Sequence, residues 1–154
     1  MTQLMLTRFN NNTQNENERW RQTNDYSGCI YNSPVHIKES IPLMITLYVI
    51  EMNNDANKII GFGKIVNKVY TDKKYRIYEE RNYNRYTYRG AKRISKELKE
   101  NQVLEELKEK IKKLEERLFK GKSHLKRGQG ITQVPNDVKK KYLKFIEELF
   151  TFST

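Results

Sequence analysis

The sequence predicts an α+β protein, and three observations lead to this fold class. A run of apolar and β-branched residues at positions 43–52, LMITLYVIEM, is typical of a buried strand. A short polar turn and a second apolar run follow it, which predicts a hairpin. After position 95 the apolar residues recur every three or four positions, which predicts helices. Because 154 residues suit one compact domain, we expect a single domain over residues 19–154.

The first eighteen residues are polar and rich in asparagine, without the period of a helix or a strand. This composition predicts a flexible N-terminal arm over residues 1–18. Its apolar residues Met5, Leu6 and Phe9 leave open that the arm is anchored as an edge strand. Turns rich in glycine and proline follow, with one short strand predicted over residues 28–31.

The predicted hairpin occupies the middle of the chain. Its first strand covers residues 43–52, its turn is NNDAN at residues 53–57, and its return strand covers residues 58–70. Gly61 and Gly63 lie inside the return strand, where glycine indicates a bulge or the close approach of another backbone. This hairpin is the best-defined element of the predicted sheet.

An amphipathic helix is predicted before the closing loop, over residues 95–119, with Ser95 as its N-cap. The apolar stripe of this helix fits two uses, packing on the sheet or forming the coiled-coil seam of a homodimer. We favour packing on the sheet. The stripe consists of Leu98, Leu104, Leu107, Ile111, Leu114 and Leu118. A glycine-rich basic loop, a short strand at residues 131–134 and a last helix after Pro135 complete the chain.

Positive charge is concentrated in two segments of this chain, whose net charge is +11 and whose pI is about 9.6. Residues 58–93 carry eleven Lys and Arg against three Asp and Glu, and residues 120–127 add four more cations. Such a field attracts a polyanion, with RNA or DNA as the first candidate and an anionic membrane as the second. The predicted phosphate-binding residues are Lys73, Lys74, Arg76, Arg81, Arg85, Arg89, Lys122, Lys126 and Arg127.

Tyrosines alternate with these cations, and two further strands are predicted among them, at residues 75–78 and 83–89. Cations neutralise phosphates and flat rings stack on bases, so this mixture is typical of a surface for single-stranded nucleic acid. The alternative is a solvated basic face whose tyrosines pack against the edge of a core.

Signatures of catalysis are sparse. The chain has two histidines, His36 and His124, one cysteine, and no GxSxG, HExxH or GxxxxGK[ST] pattern. We therefore predict a protein that is not an enzyme and that uses no cofactor and no metal. The weakest alternative is a phosphoryl enzyme in which His124 acts beside Lys126 and Arg127.

The single cysteine, Cys29, argues for a reducing compartment, and no apolar run approaches the roughly 20 residues of a transmembrane helix. We expect an intracellular protein, cytoplasmic or nuclear, without a membrane partner. The abundance of Asn, Lys, Ile and Tyr is typical of an AT-rich genome, such as that of a virus or a low-GC microbe.

Three segments together resemble PUA-like domains, particularly the YTH and EVE families. The segment LYVIEMNNDANKIIGFGKIVNKVYTD at residues 47–72 resembles their central hairpin. Upstream, GCIYNSP at residues 28–34 resembles the short strand that carries a tryptophan in YTH domains. Downstream, KRGQGITQVPNDVKKKYLKFI at residues 126–146 resembles their closing loop, strand and helix, and its TQVP falls where YTH domains have a similar Gln-x-Val-Pro. The resemblance covers about residues 26–150.

This resemblance implies a small, curved β-barrel flanked by helices, with an aromatic pocket for a modified base such as N6-methyladenine. It places Tyr31 at the position of a cage tryptophan and Asn32 and Ser33 at the neighbouring polar contacts. It also matches Lys126 and Arg127 to the loop that contacts phosphate. The chain departs from the families because tyrosine replaces tryptophan in this motif. The remaining candidates for the base pocket are Trp20, which lies outside the motif, Tyr48, Tyr75, Tyr78 and Tyr83, with Tyr86 and Tyr88 as further rings of the same region.

The predicted function is therefore a nucleic-acid-binding module, for RNA more than DNA, that holds phosphates on its basic segments and a base in an aromatic pocket. The alternative is a protein interaction module that docks an acidic partner on its basic face. In that case the homodimer seam would consist of Leu104, Leu107, Ile111, Leu114 and Leu118.

Overall fold

A computed structural model describes residues 1–96 and 105–152 of the chain, and these residues form the predicted α+β fold. The strands are β1 (Thr2–Phe9), β2 (Cys29–Ser33), β3 (Thr46–Asn53), β4 (Lys58–Val66), β5 (Tyr86–Gly90), β6 (Lys92–Ser95) and β7 (Thr132–Gln133). The helices are α1 (Asn11–Thr23), α2 (Glu105–Phe119) and α3 (Asn136–Phe152). A single turn of 3-10 helix, Arg81–Asn84, precedes β5.

The strands form two sheets. The larger one has the order β6-β4-β3-β1-β7, in which β1 and β3 are parallel and the other neighbours are antiparallel. The smaller one pairs β2 with β5. No closed barrel is present in residues 1–96 and 105–152, so the curved barrel that the resemblance implies stays a prediction.

The predicted hairpin is confirmed as β3 and β4. Its register shifts between Glu51 and Met52, so β4 contains a bulge beside Gly61. A Cβ atom on Gly63 would lie 2.0 Å from the Tyr31 hydroxyl oxygen. One on Gly90 would lie 1.9 Å from the Lys64 carbonyl oxygen. The glycines therefore allow the smaller sheet to lie directly on β4. This contact confirms the close approach that was predicted for the strand.

The prediction of a flexible arm over residues 1–18 is wrong. Strand β1 lies inside the larger sheet, with Leu4 and Leu6 in the core on one face and Met5 and Phe9 in the core on the other. The following polar stretch is helix α1, which begins with a capping box at Asn10. A parallel pairing with β3 joins residues far apart in sequence, and local composition carries no signal for it.

The core has two layers, one on each face of the larger sheet. Helices α2 and α3 cover one face, and the smaller sheet with the loop after β4 covers the other. On α2, the side chains of Ile111, Leu114 and Leu118 are buried in this core, and Leu107 packs against it. The amphipathic helix is thus confirmed. The predicted homodimer seam is wrong for Ile111, Leu114 and Leu118, because these side chains are buried in the core of the protein itself. Leu98 and Leu104 lie outside the described residues.

Some predicted boundaries are wrong for identifiable reasons. Ser95, the predicted N-cap, is the last residue of the edge strand β6, which pairs with β4, and residues 97–104 lie outside the described residues. Residues 75–78 are a loop held by side-chain hydrogen bonds, and the strand expected at residues 83–89 begins only at Tyr86. No helix in residues 1–96 and 105–152 has the length and apolarity that crossing a membrane requires.

Candidate nucleic-acid interface

The loop after β4, residues 67–85, carries most of the predicted site, and Asn84 holds it in shape. The Asn84 carboxamide oxygen accepts hydrogen bonds from the backbone N–H of Ile77 at 3.2 Å and of Tyr78 at 3.0 Å. Its nitrogen donates to the Tyr78 carbonyl oxygen at 2.6 Å. Asn32 donates to Asn84 Oδ1 at 2.9 Å and to the Tyr75 carbonyl oxygen at 2.7 Å. Two asparagines therefore replace the strand pairing expected at residues 75–78.

Helix α1 fixes the same loop from the other side. The buried Asn17 donates from Nδ2 to the Tyr78 hydroxyl at 3.2 Å and to the Ile30 carbonyl oxygen at 2.8 Å. Glu16 accepts a hydrogen bond from the Glu79 backbone N–H at 2.7 Å. The polar residues of the predicted arm thus position the basic loop on β2, a role that sequence reasoning missed.

The loop encloses a recess of about 810 Å³, which we call the basic groove. Five predicted phosphate-binding residues line it and are exposed: Lys73, Lys74, Arg76, Arg81 and Arg85. Within the described part of the chain, no ion pair neutralises any of these five cations. Glu79 is the one acidic residue of this lining, so the groove carries five cations against one carboxylate and concentrates positive charge.

Of the predicted base-pocket tyrosines, Tyr83 is the exposed one. Its ring is 41% exposed and meets the Tyr78 ring edge to face, with the ring centroids 6.3 Å apart. Tyr75 and Tyr78 are buried and line the basic groove. Burial raises the pKa of the Tyr78 hydroxyl above its ordinary value. These two rings correspond to the alternative prediction, tyrosines packed at the edge of the core.

A second recess of about 370 Å³ adjoins the basic groove and shares Tyr78 with it. Tyr83 and Asn32 line one side, and residues 128–130 of the closing loop line another. We call it the loop recess. The structure thus brings residues 128–130, which directly follow the second basic segment, to the same recess as Tyr83, although the two are far apart in sequence.

The closing loop, residues 122–130, is anchored by side chains from the larger sheet. Arg8 donates from Nε to the Leu125 carbonyl oxygen at 2.8 Å and from Nη1 to Thr132 Oγ1 at 2.9 Å. Asn54 donates to the Lys126 carbonyl oxygen at 2.8 Å. Desolvation by burial lowers the pKa of Arg8, as expected for a cation that serves the structure. Within this loop Lys122 and Arg127 are exposed and Lys126 is half-buried.

The predicted cage at Tyr31, Asn32 and Ser33 is wrong. Tyr31 is 2% exposed and donates from its hydroxyl to Glu51 Oε2 at 2.5 Å. Glu51 in turn forms an ion pair with Arg93 at 2.5 Å. Burial raises the pKa of Tyr31 well above its ordinary value. A ring locked under a neighbouring strand cannot stack on a base.

The two polar members of that cage also serve the fold. The Asn32 oxygen accepts from Thr87 Oγ1 at 2.6 Å, while its nitrogen is occupied by Tyr75 and Asn84 as described above. Ser33 is 1% exposed and donates to the Val35 carbonyl oxygen at 2.6 Å. Their hydrogen-bonding groups are used inside the protein, so they are not available to a ligand.

Tyr48 is wrongly assigned as well, because it lies on the opposite face of the larger sheet, against Phe150. Trp20 is half-buried on α1 and contacts the rings of Tyr26 and Tyr75 at centroid distances of 5.8 and 5.9 Å. Neither faces Tyr83, so the described residues contain no pair of exposed rings that could form the expected cage.

Arg89 belongs to the same aromatic cluster as Trp20. Its guanidinium lies 4.2 Å from the Tyr70 ring centroid and 5.9 Å from that of Tyr75. This geometry is typical of a cation–π contact. Arg89 is half-buried and does not line the basic groove, so its predicted role in phosphate binding stays a prediction.

A third recess, of about 770 Å³, lies between α1 and α2 and is also lined by cations. Three of its cations are paired, Arg93 with Glu51, and Lys58 and Lys96 with Glu115, whereas the five cations of the basic groove form no ion pair within the described residues. We therefore do not place the interface there. Among the described residues, no group of three or more His, Cys, Asp or Glu side chains could hold a metal ion. His124, the candidate acid–base residue, accepts the Lys126 backbone N–H on Nδ1 at 3.2 Å.

Comparisons with known proteins supply no functional assignment, so the functional proposal is based on the geometry described above. The resemblance to PUA-like domains accordingly stays a prediction. No protein-family model, no curated protein and no solved structure matches the chain.

Proposed function

We propose that the protein binds single-stranded nucleic acid, RNA before DNA, along the basic groove. The observation that carries this proposal is the set of five exposed, unpaired cations in the groove, Lys73, Lys74, Arg76, Arg81 and Arg85. A surface built this way gains affinity by releasing the counterions of a nucleic acid when it neutralises phosphates. The PUA-like resemblance is the fold-level part of the same proposal, supported by the order of hairpin, closing loop and last helix.

Single strands fit better than duplexes because of the ring beside the groove. Tyr83 is exposed and lines the loop recess, which shares Tyr78 with the basic groove. An aromatic ring can stack on a base only if that base is unpaired and unstacked, which is how most sequence-specific RNA recognition works. The proposal does not include a methyladenine cage, since the residues predicted to form it are buried.

The test compares two double variants with the same change in net charge. Lys74→Glu with Arg76→Glu removes two groove cations, whereas Lys140→Glu with Lys144→Glu changes two exposed lysines on α3. Fluorescence anisotropy with an eight-nucleotide RNA is measured at several salt concentrations. We expect the groove variant to lose affinity by about tenfold or more and its salt slope to fall by about 1.4, or about 0.7 per phosphate contact.

The α3 variant should keep the salt slope of the unmodified protein. Equal losses in both variants would show that only net charge matters, which contradicts a defined groove. Polyglutamate serves as a competitor of similar charge without bases. If it displaces the RNA at equal charge concentration, the partner is an acidic protein, as the alternative interpretation of the sequence requires.

A further inference from the structure

We propose that the loop recess is a subsite for one unpaired nucleobase, and that a bound strand continues from the basic groove across it to Lys126 and Arg127. This inference rests on the proposed function and deepens it, because it says where a base is held. It differs from the predicted cage, since it uses the closing loop and Tyr83 in place of the buried Tyr31.

The size and lining of the loop recess suit one base. Its volume of about 370 Å³ is at the lower end of the range for small-molecule pockets, so a single ring system fits and a duplex does not. The exposed ring of Tyr83 forms one side, and its contact with Tyr78 fixes its orientation. Asn10 and Thr13 also line the recess, and their side chains form the capping box of α1.

The opposite side of the loop recess is backbone. Gly128 and Gly130 have φ angles of 147° and 75°, a region that other residues rarely adopt. A Cβ atom on Gly128 would lie 2.6 Å from Arg8 Nη1, and one on Gly130 would lie 2.5 Å from Ser33 Oγ. The loop therefore packs closely without side chains at these two positions, and its peptide groups border the recess.

This loop is already held in place without a ligand. Arg8 and Asn54 together make three hydrogen bonds to Leu125, Lys126 and Thr132. A fixed loop reduces the entropy lost on binding. Lys126 and Arg127 directly precede Gly128, which lines the recess, and Arg81 and Arg85, which line the basic groove, are each two residues from Tyr83 in the chain.

The experiment blocks the loop recess chemically in an otherwise intact protein. Gln129, an exposed lining residue, is changed to cysteine, and the thiol is alkylated with N-ethylmaleimide. The native Cys29 is fully buried, so it is protected from the reagent. Affinity is measured for an eight-nucleotide oligoadenylate and for a strand of the same length without bases. The quantity compared is the ratio of the two dissociation constants.

We expect the unblocked protein to prefer the strand with bases by at least about fivefold, the lower end of what one stacked base contributes. Alkylation of the Gln129→Cys variant should bring this ratio to about one and leave the salt slope unchanged. The Lys140→Cys variant, alkylated in the same way on α3, should keep the preference. As a second pair, Tyr83→Ala should lose the preference and Tyr83→Phe should keep it.

A preference that survives both alkylation at position 129 and Tyr83→Ala would overturn the inference. Equal binding of the two strands by the unblocked protein would overturn it too, but would leave a basic groove that binds phosphates. Absence of salt-dependent binding to either strand would contradict the proposed function itself. The three results are therefore distinguishable.

Discussion

Asn82 and Asn84 are two residues apart, and only the second shapes the candidate interface. The Asn84 carboxamide bonds to both backbone groups of Tyr78 and to the backbone N–H of Ile77. Asn82 is exposed in the 3-10 turn. A loop without strand pairing depends on such side chains, because its backbone groups need partners once they leave the solvent.

Replacing Asn84 should therefore loosen the basic groove. We expect Asn84→Ala to lower the free energy of unfolding by about 1–3 kcal/mol, because it leaves the backbone groups of Ile77 and Tyr78 unsatisfied. Amide hydrogen exchange at these two residues should become faster. Asn82→Ala is the matched control and should change neither quantity. Unchanged exchange in Asn84→Ala would mean that the loop is held by other contacts.

For single residues, the sequence predicts the exposed cations of the site better than it predicts which tyrosines are buried. The five groove cations were all anticipated, because Lys and Arg are rarely buried. Tyr31 was misassigned because a tyrosine suits both a core and a binding site, and only the neighbouring Gly63 and Glu51 decide between them. Arg8 gave no signal, since its partners lie more than 100 residues away in the chain.

The elements that could be predicted are those with local patterns. The hairpin of β3 and β4 and the amphipathic helix α2 show their apolar periods in the sequence. Strand β1 and the basic loop depend on partners that are distant in the chain, namely β3 for the strand and Asn17 and Asn32 for the loop. Local composition cannot report such pairings.

The apolar stripe of α2 gives a prediction at the scale of the element. Because Leu114 is fully buried in the core, Leu114→Ala should lower the free energy of unfolding by about 2–5 kcal/mol. The exposed neighbour Lys113 is the control, and Lys113→Ala should stay within about 0.5 kcal/mol of the unmodified protein. Light scattering should give the same mass for all three proteins. A molecular mass that falls only in Leu114→Ala would support the predicted homodimer seam.

In the folded molecule, two ionisable side chains of the smaller sheet, Cys29 and Tyr31, are buried and stay neutral to a higher pH than usual. Burial raises the pKa of the Cys29 thiol from 9.0 to about 12 and that of Tyr31 well above 10.0. In the unfolded chain these groups ionise at their ordinary values. Above pH 9 the unfolded state therefore binds fewer protons than the folded state, so stability must fall as pH rises.

We expect the free energy of unfolding to keep this contribution in full below about pH 9 and to lose it between about pH 9 and pH 12. Urea unfolding at pH 8.0, 9.5 and 10.5 measures the loss. In the Cys29→Ser variant the decline between pH 9 and 10 should be shallower by about 1 kcal/mol per pH unit. Stability that is constant or rises over this interval would contradict the burial of these groups.

The interior position of β1 in the larger sheet has a consequence for how the protein is made. Strand β1 leaves the ribosome before both of the strands with which it pairs, β3 on one side and β7, residues Thr132 and Gln133, on the other. The larger sheet cannot be completed until β7 has been synthesised. Contacts this distant in sequence slow folding. Until then the apolar side chains of Leu4 and Leu6 have no core to enter, so the nascent chain is exposed to aggregation.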